Sequence, residues 1–320
     1  MNTKTSNIPL CIQQNIPLAD KNWFKTGGNA EYFLAPEKTV PLQEGLAWAK
    51  QNNLAITIMG EGANVLISDA GIKGLVIILQ NKNMQIINGL ISIDAGVSMH
   101  HAIAFSLKNN WGGLEDFGGI PGSVGGAVCM NIHYFDALLS DFIETVTILD
   151  LESLEITEIT KNACNFGYNK SLFLEKKLIV LAVTLRLKKL TSEETAYARG
   201  RHDEIVRQRS RRYPPTRTCG SFFRNFFPHE YEQAKGKTKV PYIAYYLESV
   251  GVKGQLSSGK ASVFSLHANM LVTSEGATSH DVVSLATIMQ QNVYNQFGLW
   301  PVPECQLLGF EKNPFLQKKL

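Results

Sequence analysis

The chain has 320 residues, 44% of them hydrophobic and 18% charged, with a formal net charge of +3. That length provides for two or three domains with real cores. The weak charge excludes nucleic acid as a principal partner. No apolar run reaches the roughly 18 residues of a membrane span, so membrane insertion is not expected.

Residues 1–10 lack a basic-then-apolar leader pattern, which points to a cytoplasmic protein. The five cysteines (Cys11, Cys129, Cys164, Cys219, Cys305) are scattered with no C-x-x-C, so they read as reduced, mostly buried thiols and imply no metal site.

Residues 1–20 are polar and read as a loosely held extension. Lys25-Thr26-Gly27-Gly28-Asn29-Ala30 is a turn signal ahead of the apolar Tyr32-Phe33-Leu34. A helix is expected over 41–52, where Leu42, Leu46 and Ala49 recur at helical spacing. Two strands, 55–59 and 65–68, flank Gly60-Glu61-Gly62-Ala63-Asn64. This unit is neither a dinucleotide fingerprint nor a Walker loop, and a plain hairpin turn explains it equally well.

Further strands are expected at 74–79 and 89–94, then a helix from Met99 to about Asn109, capped by Ser98 and ended by Gly112-Gly113. His100 and His101 are adjacent on that helix and point different ways, which makes them a poor metal pair.

The run Gly118-Gly119-Ile120-Pro121-Gly122-Ser123-Val124-Gly125-Gly126-Ala127-Val128 has five glycines and almost no bulk. It reads either as a tight connection or as a concave set of amides for phosphate oxygens. A hairpin over 144–149 and 153–159, a polar turn at 166–171 and a long strand over 178–187 follow, which makes this half α+β.

Between 191 and 217 seven arginines accumulate, as a solvated helix face or as a positive rim for anions, and Pro214-Pro215 breaks the helix. A domain boundary is expected between about 189 and 205. Beyond it, Gly220-Ser221-Phe222-Phe223 is not a hydrolase elbow, because Phe223 stands where the last glycine belongs. A helix over 241–250, strands at 263–266 and 270–273, and a helix capped by Thr278 or Ser279 and ended by Gly298 are expected. A final strand over 300–310 contains Glu304, a carboxylate that needs an edge position or a function.

Seven segments occur in the order of one family: Phe24-Lys25-Thr26-Gly27-Gly28-Asn29-Ala30, Gly60-Glu61-Gly62-Ala63-Asn64-Val65-Leu66, residues 113–127 around the glycine run, Gly220-Ser221-Phe222-Phe223-Arg224-Asn225, Val252-Lys253-Gly254, His267-Ala268-Asn269 and Pro303-Glu304. Together they closely resemble UDP-N-acetylenolpyruvoylglucosamine reductases, over roughly residues 20–310. Only about fifty residues separate Ser171 from Ser221, which resembles the family's shorter type without an inserted folding unit.

The resemblance implies an α+β fold. After an extension over 1–20, a two-lobed FAD-binding domain of the vanillyl-alcohol-oxidase type covers 21–190, split near 80. A linker at 191–205 and a substrate domain at 206–320 follow. It implies FAD as bound cofactor, NADPH as co-substrate and a UDP-sugar as partner, in a cytoplasmic enzyme of peptidoglycan precursor synthesis, with a monomer expected.

Cofactor contacts are implied at Gly60, Glu61, Gly62, Ala63, Asn64, Leu66, Gly119, Ile120, Pro121, Gly122, Ser123, Gly125 and Gly126. Substrate contacts are implied at Tyr168, Arg224, Asn225, His267 and Asn269. Ser221 matches the family's proton donor and Glu304 its glutamate. The chain departs from the pattern twice. Asn169 stands where the family has an arginine that stabilises developing negative charge, a loss worth on the order of 10²–10³ in rate. Asn131-Ile132-His133-Tyr134-Phe135-Asp136 replaces a glycine-containing turn. A flavin-binding paralogue with altered substrate or lost catalysis is the alternative reading.

Overall fold

The computed structural model describes residues 8–134, 136–236 and 238–317. The chain forms two compact units interleaved in sequence. One takes residues up to Gln14, then Glu31–Glu61 and Gly74–Arg209; the other takes Asn15–Ala30, Gly62–Lys73 and the chain from Ser210.

The first unit is built on two sheets. A four-stranded sheet has the order Ile12–Pro17, Asn29–Leu34, Ile72–Ile78, Ile56–Met59. A five-stranded antiparallel sheet has the order Ile156–Thr160, Ile143–Asp150, Leu178–Leu185, Leu90–Asp94, Met84–Ile87. Side chains alternate across a strand, so the larger sheet feeds two cores. Val146, Ile148, Val180 and Val183 join the helices Met99–Lys108 and Val124–Met130, while Leu149, Ile179 and Leu181 join the helix Thr39–Gln51.

Several expectations change. The first twenty residues are not uniformly loose: Ile12–Pro17 pairs as a strand and Leu18 is fully buried, while residues 1–7 lie outside the described residues. Residues 60–64 are not a hairpin turn, because the strand before them pairs in parallel with Ile72–Ile78 and the strand after them with Gln306–Leu308. The helix Met99–Lys108 ends at Asn110, whose φ of 60° does the work expected of Gly112-Gly113. The glycine run is loop only to Ser123; Val124–Met130 is a helix.

The second unit has one core around Phe222, Phe223, Tyr246, Leu285 and Met289. It holds the helices Ile243–Ser249 and Ser279–Phe297 and a sheet of Ser257–Ser258, Ala261–Val263 and Leu271–Thr273. The longer helix is capped by Thr278 and closed by Gly298 at φ 72°. The expected strand over 300–310 shrinks to Gln306–Leu308. Pro301 and Pro303 have no N–H to give a ladder, so Glu304 lies outside the strand.

Candidate active site

The glycine run begins the site in the first unit. Ser123 caps the helix Val124–Met130, its Oγ accepting from the Gly126 N–H at 3.3 Å. The preceding main chain is pinned on both sides: Met99 N donates to Gly122 O at 2.9 Å, and Val124 N to Val97 O at 2.7 Å. Gly125 packs so closely that a Cβ would lie 2.8 Å from Ala95 Cβ and 3.2 Å from Ala95 O. Gly119 and Gly122 take φ of 74° and 123°, angles that favour glycine.

Gly60 approaches this cap. A Cβ there would lie 2.5 Å from Ser123 Oγ and 3.8 Å from Gly126 Cα, whereas a Cβ on Gly126 would meet only Ser123 Oγ, at 3.5 Å. Two glycine backbones thus face each other with open space beside them. That cradle suits the pyrophosphate of FAD, which main-chain amides can approach only where side chains are absent. Glu61 stands beside it. Partial burial raises its carboxyl pKa, and Lys82, His101 and the Gly122 N–H pull it back down. Arg209, on the helix Ser192–Arg212, packs against Gly119 and sits over the Tyr134 ring at 5.6 Å. His100 and His101 are exposed, and the described residues contain no group of three potential metal ligands.

The turn after the glycine helix is intact without its glycine. Asn131 ends the helix at φ 46° and is fully buried. Its Nδ2 donates to Gly167 O at 3.0 Å and its Oδ1 accepts from Ser140 N at 3.0 Å. Ser171 Oγ donates to Cys129 O at 2.6 Å. The segment 167–171 is therefore fastened to the C-terminal end of the glycine helix. Phe135, quoted in the replaced turn, lies outside the described residues.

In that segment Tyr168 rests on the His133 ring at 4.9 Å. Asn169 takes φ 49°, and its Nδ2 is buried with no hydrogen-bond partner among the described residues. The Lys170 ammonium lies 3.9 Å from Glu175, both side chains being more than half exposed.

The second unit gathers Ser221, Asn269 and Glu304. Gly220, at φ 79°, has open space where a Cβ would stand, which leaves the approach to Ser221 uncrowded. Ser221 bridges Met270 on one side, and Phe223 bridges Pro303 on the other. Phe222 links the two: its N–H donates to Asn269 O and its carbonyl accepts from Glu304 N, both at 2.8 Å. Asn269 is 2% exposed, and both ends of its amide are spent on the main chain of Phe223, at 3.0 and 2.7 Å.

His267 Nδ1 accepts from Asn269 N at 3.2 Å. The Arg224 guanidinium makes a bidentate pair with Glu230, both bonds 2.7 Å, and lies over the Phe227 ring at 4.3 Å. Asn225 Oδ1 accepts from Ile243 N at the start of the helix Ile243–Ser249. Leu66 is fully buried in this unit's core.

Burial lowers the pKa of His133, and burial followed by Arg212 lowers that of His267. Both rings are therefore neutral at pH 7. Burial pushes the Cys129 thiol up to about 12 and Cys164 to about 11. The Cys219 thiol is raised by burial and by its contact with Cys305. Protonated, desolvated thiols are poor nucleophiles, so these cysteines are packing residues.

The residues that sequence reading passed over are Asn131, Phe222 and Gln290. An asparagine directly after a glycine-rich helix was the available signal for the first. The other two act through long-range contacts that leave no local pattern.

Residues 211–308 match the family described as UDP-N-acetylenolpyruvoylglucosamine reductase, C-terminal domain, and residues 30–157 the one described as FAD binding domain. A UDP-N-acetylenolpyruvoylglucosamine reductase of Gloeobacter violaceus is 36% identical over 302 residues, covering 93% of this chain and 96% of the relative. One from Listeria innocua is 31% identical, covering 98% and 100%. The crystal structure of the reductase from Thermus caldophilus superposes with a TM-score of 0.74 at 25% identity, covering 92% of this chain and 97% of that one.

Proposed function

The chain belongs to the UDP-N-acetylenolpyruvoylglucosamine reductase family, and from that premise we propose how its residues divide the work of an FAD- and NADPH-dependent reduction of UDP-N-acetylglucosamine enolpyruvate to UDP-N-acetylmuramate. Its fold is the family's, an α+β FAD-binding domain followed by the reductase's C-terminal domain. FAD, when bound, carries hydride from NADPH to the enolpyruvyl ether. The relatives favour this activity over that of a flavin-binding paralogue without catalysis.

The glycine cradle supports laying the pyrophosphate against the bare main chain of Gly60 and Glu61 and of Gly119, Ile120, Pro121, Gly122, Ser123, Gly125 and Gly126, where missing side chains give access; the roles of Gly62, Ala63, Asn64 and Leu66 follow from the family resemblance alone. Ser221 donates the proton that the substrate's α-carbon needs once charge has built on the carboxylate side. A serine hydroxyl is a weak acid, so the basicity of that carbon and a fixed donor geometry drive the transfer. Glu304 polarises the substrate carboxylate, from a backbone position fixed through Phe222.

Tyr168 in the first unit and His267 in the second are each assigned to the sugar nucleotide by the family resemblance. Asn269 contributes by clamping Phe223, since its amide is already spent. Arg224 and Asn225 order the loop that follows Ser221, through Glu230 and Ile243. Asn169 offers one neutral, buried N–H donor in place of a guanidinium, enough for a slower reductase. A monomer located in the cytoplasm completes the reading; among the described residues no helix is long and apolar enough to cross a membrane.

The single observation that carries the proposal is the link from the segment of Ser221 to Glu304 through the Phe222 main chain. The test is stepwise. Purified chain should bind FAD and turn yellow, NADPH should bleach it, and the enolpyruvyl sugar should restore the colour. Bleaching without substrate-dependent recovery would sink the reductase.

A further inference from the structure

A buried glutamine and a buried phenylalanine lie behind Ser221 and Glu304, and neither is used by the chemistry. Phe315 is 2% exposed, and its ring packs on Phe222 at 5.5 Å, nearly perpendicular at 77°. Phe222 also meets Phe223 at 5.0 Å and Phe24 at 6.4 Å, so an aromatic cluster backs the residue whose main chain joins Asn269 to Glu304.

The segment carrying Phe315 is tied down by side chains. Its carbonyl accepts from Trp300 Nε1 at 2.9 Å and from Gln290 Nε2 at 3.1 Å, and its N–H donates to Asn313 Oδ1 at 2.9 Å. Gln290 is fully buried on the helix Ser279–Phe297, and the same Nε2 donates to Pro301 O at 2.7 Å. One amide thus clips two stretches of chain, the one leading into Glu304 and the one carrying Phe315. A glutamine buried in an apolar core is costly unless such bonds are needed. This stretch lies outside the strand Gln306–Leu308, and Gln290 supplies the donor for the Pro301 carbonyl.

We propose that Phe315, clipped by Gln290 and Trp300, is a positioning element for the reaction: by filling the space behind Phe222 it sets the spacing of Ser221 and Glu304, and so the alignment of proton donor and substrate carboxylate. This rests on the roles given to Ser221 and Glu304 above. The action is indirect, since Phe315 is buried and offers a ligand almost no surface. It belongs to the proton-delivering half of the cycle alone, because delivery to carbon is the step that a displacement of about 1 Å slows by up to roughly 100-fold.

The experiment separates the two half-reactions by stopped flow on flavin-loaded enzyme, well below the melting temperature. Phe315→Ala should leave reduction by NADPH within twofold of wild type and slow reoxidation by the enolpyruvyl sugar about 10- to 100-fold. Phe315→Leu, which refills most of the space, should recover most of the lost rate. Gln290→Met, which removes both clips at similar volume, should shift the same half-reaction and serves if Phe315→Ala does not fold. A merely structural role would lower the melting temperature without changing the ratio of the two rates. Equal ratios in Phe315→Ala and Gln290→Met, or in Gln290→Met alone if the first is insoluble, overturn the assignment. Failure of wild-type reduced enzyme to be reoxidised overturns the reductase reading and this one with it, and is told apart by that control.

Discussion

The glycine cradle and the Ser221 segment hold their proposed functional groups by opposite means. In the cradle the main chain itself is the proposed binding surface: Ser123 caps its own helix, Gly125 lies on Ala95, and Gly60 faces Gly126. At Ser221 the main chain is only a mount. It is fixed by partners far away in sequence, among them Asn269, 46 positions from Phe223. Where its glycines are packed tightly, as Gly60 and Gly125 are, an added atom has no room. A mount made of clamps tolerates changes in the clamps as long as the spacing survives.

The largest expected effect tests the mount directly. Ser221→Ala should leave flavin reduction by NADPH unchanged and slow reoxidation by the enolpyruvyl sugar by about 10²- to 10⁴-fold, the usual weight of a positioned acid. Reoxidation at the wild-type rate would remove Ser221 from the role of donor.

The contrast also explains what could be read from the sequence. Gly60, Ser123 and Gly126 announce themselves because their constraint is local: a turn, a cap, a missing side chain. The Ser98 and Thr278 caps were legible for the same reason. The strand expected over 300–310 failed because an apolar pattern says nothing about whether a ladder partner exists, and the prolines outweighed it. The helical character of residues 124–130 was hidden by glycine's low intrinsic propensity, which the Ser123 cap and the close seat on Ala95 override. The clamp by Asn269 had no signature beyond its place in a family motif.

The cradle is broken most simply at Gly125. In Gly125→Ala the new methyl would stand 2.8 Å from Ala95 Cβ and 3.2 Å from Ala95 O, and backbone cannot rotate away as a side chain could. Overpacking of this kind costs about 1–3 kcal/mol. FAD titration should show affinity weakened by about 10- to 100-fold for a shift of that size. Unchanged affinity would mean that the amides of this run do not hold the cofactor.

Asn169 sharpens the comparison, because here the conformation of the main chain limits the chemistry of the side chain. Restoring the family residue, Asn169→Arg, places a long side chain at φ 49°, where asparagine is among the few residues at ease. The expected cost is about 1–2 kcal/mol of stability, read by denaturant unfolding, with no gain in turnover. A clear gain in turnover would show that the turn rearranges readily and that the missing cation alone limits the rate.

The smallest effect concerns pH and reaches the mount through His267. Its Nδ1 accepts the Asn269 N–H, so the neutral ring carries its proton on Nε2. A second proton must go to Nδ1 and abolish that bond. Burial, then Arg212, lower this ring's pKa, with Lys253 adding to the effect and Glu248 opposing it; burial alone lowers that of His133. Unfolded chains take up protons at both residues near pH 6.5, while the folded protein does not until lower pH. The unfolded state then binds more protons, and stability must fall as pH drops through and below about 6.5. Urea midpoints measured between pH 7.5 and 5.5 should decline accordingly. His267→Asn, whose Oδ1 can still accept from Asn269, should flatten part of that decline, and His133→Phe, which keeps a ring against Tyr168, another part. An undiminished slope in the double variant would assign the pH dependence to other groups. It would also free the Asn269 clamp, and with it the segment of Ser221, from any dependence on the protonation of His267.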